Sequence, residues 1–181
     1  MRRWTLVGAG ILTALCGAHA TGADRVLGTP WPLDRPETSH ASGRMPGDDG
    51  ATATVVRVVD GDTLILRIGG RARRVRLIGA DAPEIWTRRD CFGAEAFRGL
   101  RRLAPIGSEV RVAGDHEPSD RFGRRLLYVW TRDGRLVAAE LIRAGLARLL
   151  VIPPDTRYAP LLGAAEADAR RTRAGLWRAC R

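Results

Sequence analysis

Three acids and two arginines follow one another in a fixed order through the middle of the chain: Asp62, Arg76, Asp81, Glu84 and Arg124. They sit in three short stretches, DGDT at Asp60–Thr63, VRLIGADAPE at Val75–Glu84 and DRFGR at Asp120–Arg124. Paired carboxylates supply the hard oxygen ligands that a hard divalent cation takes. A further carboxylate can orient or deprotonate a water. Arginine forks match the oxygens of a phosphate bidentately and stay charged at any working pH. The combined set points to hydrolysis of a phosphodiester. Any one stretch by itself reads as a turn or a strand end.

The elements around these stretches read as a small barrel. Thr54–Val59 is β-branched and strand-like, Asp60-Gly61-Asp62 turns, and Thr63–Ile68 alternates as a second strand. Gly69-Gly70 turns again, and Ala72–Ile78 is a third strand, giving a meander. Phe92–Leu103 has helical spacing at Phe92, Ala96, Phe97, Leu100 and Leu103, with Asp90 or a neighbour as its cap. Glu109–Ala113 and Leu126–Trp130 are strands. Leu136–Ala144 is a helix with Gly145 at its left-handed end, and Tyr158–Ala174 is the last helix. The order is that of an α+β, mainly β chain: a five-stranded OB-fold barrel with about three helices.

The chain has 181 residues, 45% apolar content and a net charge of +10. All 30 basic residues are arginine, and lysine, asparagine and glutamine are absent. Such a surface concentrates polyanions in a salt-dependent way. Charge alone would equally suit an anionic membrane or a cell-wall polymer. Residues 1–20 read as a secretory signal. Arg2 and Arg3 open it, Leu6–Cys16 is an apolar core too short to span a bilayer, and Ala18-His19-Ala20 is a cleavage site. Leu15 is too large for a lipoprotein signal at Cys16. Residues 21–50 are polar and Pro/Gly-rich, a flexible linker, and 51–181 form the domain. No later stretch suits a membrane span. Cleavage leaves Cys91 and Cys180, an even count that favours one disulfide in an exported protein, the other arrangement being two buried thiols. No cluster suggests zinc.

At these motifs the chain resembles the staphylococcal nuclease family, the thermonucleases. The resemblance runs from about Ala53 to Trp177 and rests on DGDT, RLIGADAPE, FGxEA at Phe92–Ala96, DRFGRRLLYV, LIRAGLA at Leu141–Ala147 and the closing GLW. It implies Asp62 and Asp81 as calcium carboxylates, with Ala82 adding a backbone carbonyl. It implies Glu84 as the group that orients or activates the attacking water, and Arg76 and Arg124 as the pair on the scissile phosphate. Arg121 and Phe122 would touch the nucleotide. Where the best-known member carries tyrosines around the base, this chain has Phe122, Val151 and Pro153 at the aligned positions. The implied activity is calcium-dependent cleavage of DNA and RNA to 3′-phosphate ends by a secreted or periplasmic protein, expected to be a monomer. Two other classes fit the composition: a non-catalytic nucleic-acid-binding module of the same fold, and an envelope interaction protein. Retention of both carboxylates, the glutamate and both arginines argues against them.

Overall fold

A computed structural model of the chain describes residues 50–86 and 90–180. The proposed leader and all but the last residue of the linker lie outside them. Five strands close into a barrel: β1 (Ala51–Val58), β2 (Thr63–Ile68), β3 (Arg71–Leu77), β5 (Glu109–Ala113) and β6 (Arg125–Thr131), joined in the order β1-β2-β3-β6-β5. All pairs are antiparallel except β3 with β6, where Val75 meets Arg125 and Arg76 meets Leu126. Closure leaves no free barrel edge, since β5 returns to pair with β1. This is the OB-type barrel that the strand pattern predicts.

Alternation drives the barrel packing. Leu64 and Leu66 of β2, Val75 and Leu77 of β3, Val110 and Val112 of β5 and Val129 of β6 are all buried. A bulge in β1 between Val55 and Arg57 shifts its register against β2 and leaves Arg57 opposite Ile65. β6 is buried on both faces, which explains its continuous apolar run. Tyr128 and Trp130 alternate with Leu127 and Val129 and meet the ring of Tyr158, at 4.6 and 5.5 Å between centroids. Helices α1 (Gly93–Leu103), α2 (Val137–Arg143) and α3 (Ala159–Arg171) add Leu100, Leu141, Ile142 and Leu162 to the same core. A single turn, α4 (Leu176–Ala179), seats the buried Leu176. The α2 helix ends as expected: Gly145 has φ 67°, its N–H donates to Ile142, and Leu146 N–H donates to Leu141.

Beyond shifts of a few residues at element ends, two differences from the sequence reading bear on the site. The chain forms a second small sheet, β4 (Gly79–Asp81) paired antiparallel with β7 (Arg148–Leu150), three residues in each strand. Strands this short carry too little alternation to be read locally; their pairing is set by the long-range contact. Helix α1 begins at Gly93, and its cap residue is Phe92 at φ 72°, with no side-chain cap. Asp90 does not cap the helix because its carboxylate is engaged elsewhere, as described below. Cys91 and Cys180 form a disulfide. Among the described residues no helix is long and apolar enough to cross a membrane.

Candidate active site

The DGDT turn between β1 and β2 drives Asp62 inward. Val59 N–H donates to the Thr63 carbonyl at 2.8 Å, and the Asp60 carboxylate accepts from Asp62 N–H at 3.1 Å. Asp62 is left 2% exposed. Its Oδ2 accepts the Ala82 N–H at 2.7 Å, and its Oδ1 accepts the Thr63 hydroxyl and pairs with the Arg76 guanidinium. Gly61 allows this seating: a Cβ there would lie 2.6 Å from the Ala82 Cβ and 2.7 Å from that of Ala96. Burial raises the Asp62 pKa to about 7 against the opposing pull of Arg76. For Arg76, burial works against the charge, but Asp62 and Asp81 outweigh it and its pKa is raised.

Arg76 stands on β3, mostly buried, at the junction of three oxygens. Its guanidinium pairs with Asp62 and also donates to the Ala80 carbonyl at 3.1 Å and to Asp81 Oδ1 at 2.8 Å. One cation therefore holds both carboxylates side by side. Asp81 ends β4 with its side chain 54% exposed, and its Oδ2 has no hydrogen bond among the described residues. The Ala82 backbone follows directly. Two adjacent carboxylates, one with a free oxygen, and a carbonyl form a donor set that suits Ca²⁺. Among the described residues there is no cluster of three or more His, Cys, Asp or Glu side chains of the kind that holds a metal by side chains alone.

Glu84 is held through its backbone. Its N–H donates to Asp90 Oδ2 at 3.3 Å, and its carbonyl accepts the Asp90 N–H at 2.8 Å. The start of α1 presses on the same carbonyl, since a Cβ on Gly93 would fall 2.5 Å from it. The Glu84 carboxylate makes no hydrogen bond among the described residues. With Asp81 and Ala82 it lines a hollow of about 340 Å³ that also borders Arg148 and the disulfide.

Arg124 comes from the turn before β6. Asp120 organises that turn: Oδ1 accepts the backbone N–H groups of Phe122 and Arg124, at 2.9 and 3.0 Å, and Oδ2 accepts Arg124 Nε at 2.6 Å. Burial opposes ionisation of Asp120, but these hydrogen bonds, led by the Arg124 side chain, lower its pKa. Parallel pairing of β3 with β6 brings Arg76 and Arg124 to one open cleft of about 510 Å³. Arg121 and Phe122 line it too. Phe122 is 69% exposed, with the guanidinium groups of Arg121 and Arg124 at 4.8 and 5.5 Å from its ring centre.

The structure thus brings Asp62, Arg76, Asp81 and Ala82 into direct contact or succession. It sets Glu84 in the hollow beside Asp81, and sets Arg124, Arg121 and Phe122 in the cleft with Arg76. Of the positions aligned with base-holding tyrosines, Phe122 and Pro153 line the cleft and Val151 does not; Leu150 and Ile152 take that wall. Asp90 and Asp120, which hold Glu84 and Arg124, carried no functional role in the sequence reading. Asp120 had a local signal, since it lies four residues before Arg124 across a glycine turn. Asp90 had none, because its partner depends on the path of the loop.

A barrel with acids and arginines gathered at the ends of β3, β4 and the β6 turn is the framework of a nucleic-acid hydrolase. The chain belongs to the staphylococcal nuclease family: the family model "Staphylococcal nuclease homologue" matches residues 74–179. It is 36% identical over 131 residues to a thermonuclease of Staphylococcus intermedius, covering 71% of this chain and 77% of that one. A thermonuclease of Staphylococcus hyicus is 33% identical, covering 70% and 75% respectively. The endonuclease YncB of Bacillus subtilis is 30% identical, covering 68% and 60%. The chain is accordingly a nuclease, a hydrolase whose substrate is nucleic acid.

Proposed function

We propose that the chain is an exported, calcium-dependent nuclease that cuts DNA and RNA and leaves 3′-phosphate ends. The observation that carries this reading is the Arg76 junction, where one guanidinium joins Asp62 to Asp81 at the lip of the cleft that Arg124 lines. Asp62, Asp81 and the Ala82 carbonyl would hold Ca²⁺. The ion would lend positive charge to a phosphate oxygen and lower the pKa of a bound water.

The protein's own residues do the rest. Arg76 and Arg124 grip the scissile phosphate and offset the charge of the five-coordinate transition state. Glu84 orients the attacking water and takes its proton. Water oxygen bonds to phosphorus, the bond to the 5′ oxygen breaks, and that oxygen takes up a proton from solvent as it leaves. Glu84 returns its proton to solvent. Arg121 and Phe122 contact the nucleotide, with Phe122 offering a ring face but no hydroxyl. The aliphatic wall of Leu150, Ile152 and Pro153 suits loose rather than stacked base contacts, which favours tolerance of sequence and sugar.

In this reading residues 1–20 are an export signal, 21–50 a linker and 51–181 the catalytic domain, acting as a monomer in the periplasm or outside the cell. The disulfide supports an oxidising destination. The test is incubation of the disulfide-bonded protein with DNA or RNA, in calcium or chelator, beside Glu84→Gln and Asp81→Asn. Expected are calcium-dependent cleavage, product ends that accept phosphatase treatment at the 3′ position, and losses of orders of magnitude in both variants. Calcium should also stabilise the wild type by mass action, by about 2.7 kcal/mol at a hundredfold excess over Kd, seen as a rise in Tm, and should not do so for Asp81→Asn. Cleavage indifferent to chelator or to Glu84 refutes the mechanism.

A further inference from the structure

Next to the end of β1, where Val59 leads into the DGDT turn, lies a second hollow, of about 380 Å³, that the cleavage chemistry does not use. Arg57, Val59, Trp86, Phe97, Arg101 and Ile106 line it. Trp86 is 65% exposed and Ile106 59%, large areas for side chains to leave in water. Trp86 is nonetheless fixed. Its indole N–H donates to the Val59 carbonyl at 2.7 Å, and its ring meets Phe97 edge to face at 6.1 Å. Arg101 stands over Phe97 at 5.6 Å. Neither Arg57 nor Arg101 has an ion-pair partner among the described residues, and no acid lines the hollow.

We propose that this hollow is a second nucleotide subsite, in which a base of a single-stranded polynucleotide stacks on Trp86 while Arg57 and Arg101 bind the flanking phosphates. An exposed, hydrogen-bonded ring between two uncompensated arginines is the combination that holds single strands without regard to sequence. The chain itself ties the hollow to the cleavage site. Trp86 follows Glu84 by two residues, so their Cα atoms lie within about 7 Å along the chain. Val59 leads directly into the turn that carries Asp62. On the outer face of the barrel, Arg57 pairs across β2, through Ile65, with the exposed Arg74, which shares its face of β3 with Arg76. A basic track thus runs from the phosphate-gripping pair to the aromatic hollow. The site supplies length preference: a strand that crosses both places gains contacts that a dinucleotide cannot reach.

The proposal rests on the reading of the neighbouring site as the place of cleavage, and the test separates the two. Cleavage of a dinucleotide and of an oligothymidylate of about ten nucleotides, a usual span for a single-strand site, is measured in calcium for wild type and variants. Trp86→Leu should raise KM for the oligonucleotide about fivefold or more, the low end expected for one lost base stack, with kcat and dinucleotide cleavage unchanged. Trp86→Phe should restore most of the loss. Arg57→Ala and Arg101→Ala should each lower the slope of log affinity against log salt by about 0.7. These two exposed positions keep the test open if Trp86→Leu does not fold. Equal losses on dinucleotide and oligonucleotide, or no loss on either, overturn the subsite. If wild type cleaves neither substrate, the cleavage reading fails, and oligonucleotide binding decides the subsite. Binding weakened by Trp86→Leu and by the arginine variants then sustains it, and unchanged binding overturns it.

Discussion

Substitution of Gly93 by alanine should disable the nuclease while leaving it folded. Gly93 opens α1 against the segment that carries Glu84. An added Cβ would fall 2.5 Å from the Glu84 carbonyl oxygen, 3.0 Å from its carbonyl carbon and 3.1 Å from the Pro83 oxygen. Ordinary contact begins at 3.4 Å, so the Pro83–Glu84 backbone must retreat by about 0.9 Å. It cannot do so freely, because Asp90 holds both the N–H and the carbonyl of Glu84. The segment moves as a unit or gives up those bonds. A displacement of about 1 Å in a catalytic group costs roughly 10²-fold in rate, and overpacking costs about 1–3 kcal/mol of stability. Gly93→Ala should therefore lower kcat on single-stranded DNA by about 10²-fold with a cooperative unfolding transition retained. Gly163→Ala is the control: inside α3 its added Cβ would meet only Leu149, at 4.0 Å. It should stabilise by about 0.8–1 kcal/mol through helix propensity and leave kcat alone. A Gly93→Ala enzyme with wild-type kcat would show that the placement of the Glu84 backbone does not govern the reaction.

The Asp120–Arg124 pair gives a pH signature. The folded pKa of Asp120 is depressed, so its stabilisation is fully present above the unfolded carboxylate value and is lost as pH falls through the folded one. Wild type and Asp120→Asn should therefore differ by a constant stability from neutral pH to the top of the carboxylate range and converge only below it. A difference that already closes near neutrality would contradict the assignment. Asp120→Asn should also raise KM for oligonucleotides, because Arg124 loses its 2.6 Å anchor. The disulfide spans 89 residues, and the chain-entropy model gives about 4–5 kcal/mol for a loop of that size. Reduction, or Cys91→Ser with Cys180→Ser, should lower Tm accordingly, and an unchanged Tm would show that the bridge does not constrain the unfolded chain.

The barrel was largely legible because its signals are local. Alternation marks β2 and β5 with the observed bounds, Gly69-Gly70 marks the hairpin between β2 and β3, and Gly145 marks the end of α2. Helix α1 starts one residue later than the local pattern and ends with it at Leu103, while α3 starts one residue later and ends three earlier, where capping depends on what the neighbouring loop does with its donors. β4 and β7 escaped because three residues carry no period, and each exists only through the other. Phe92, taken locally as a helical residue, stands in the left-handed cap because α1 must start on Glu84.

The types and order of the proposed site's side chains are properties of the sequence alone: three carboxylates and two arginines in that order suit hard-cation and phosphate chemistry. Which of these groups touch is a tertiary matter. Only the fold joins Asp62 and Asp81 on one guanidinium, buries the first and leaves the second open, and brings Arg124 and Arg76 to one cleft through a parallel strand pair. Only the fold reveals that Asp90 and Asp120 hold Glu84 and Arg124, and that Trp86 faces water beside two arginines. The physical reason is the same in each case. Ionic identity travels with the residue, whereas burial, pairing and exposure depend on which distant segments the closing barrel brings within hydrogen-bond reach.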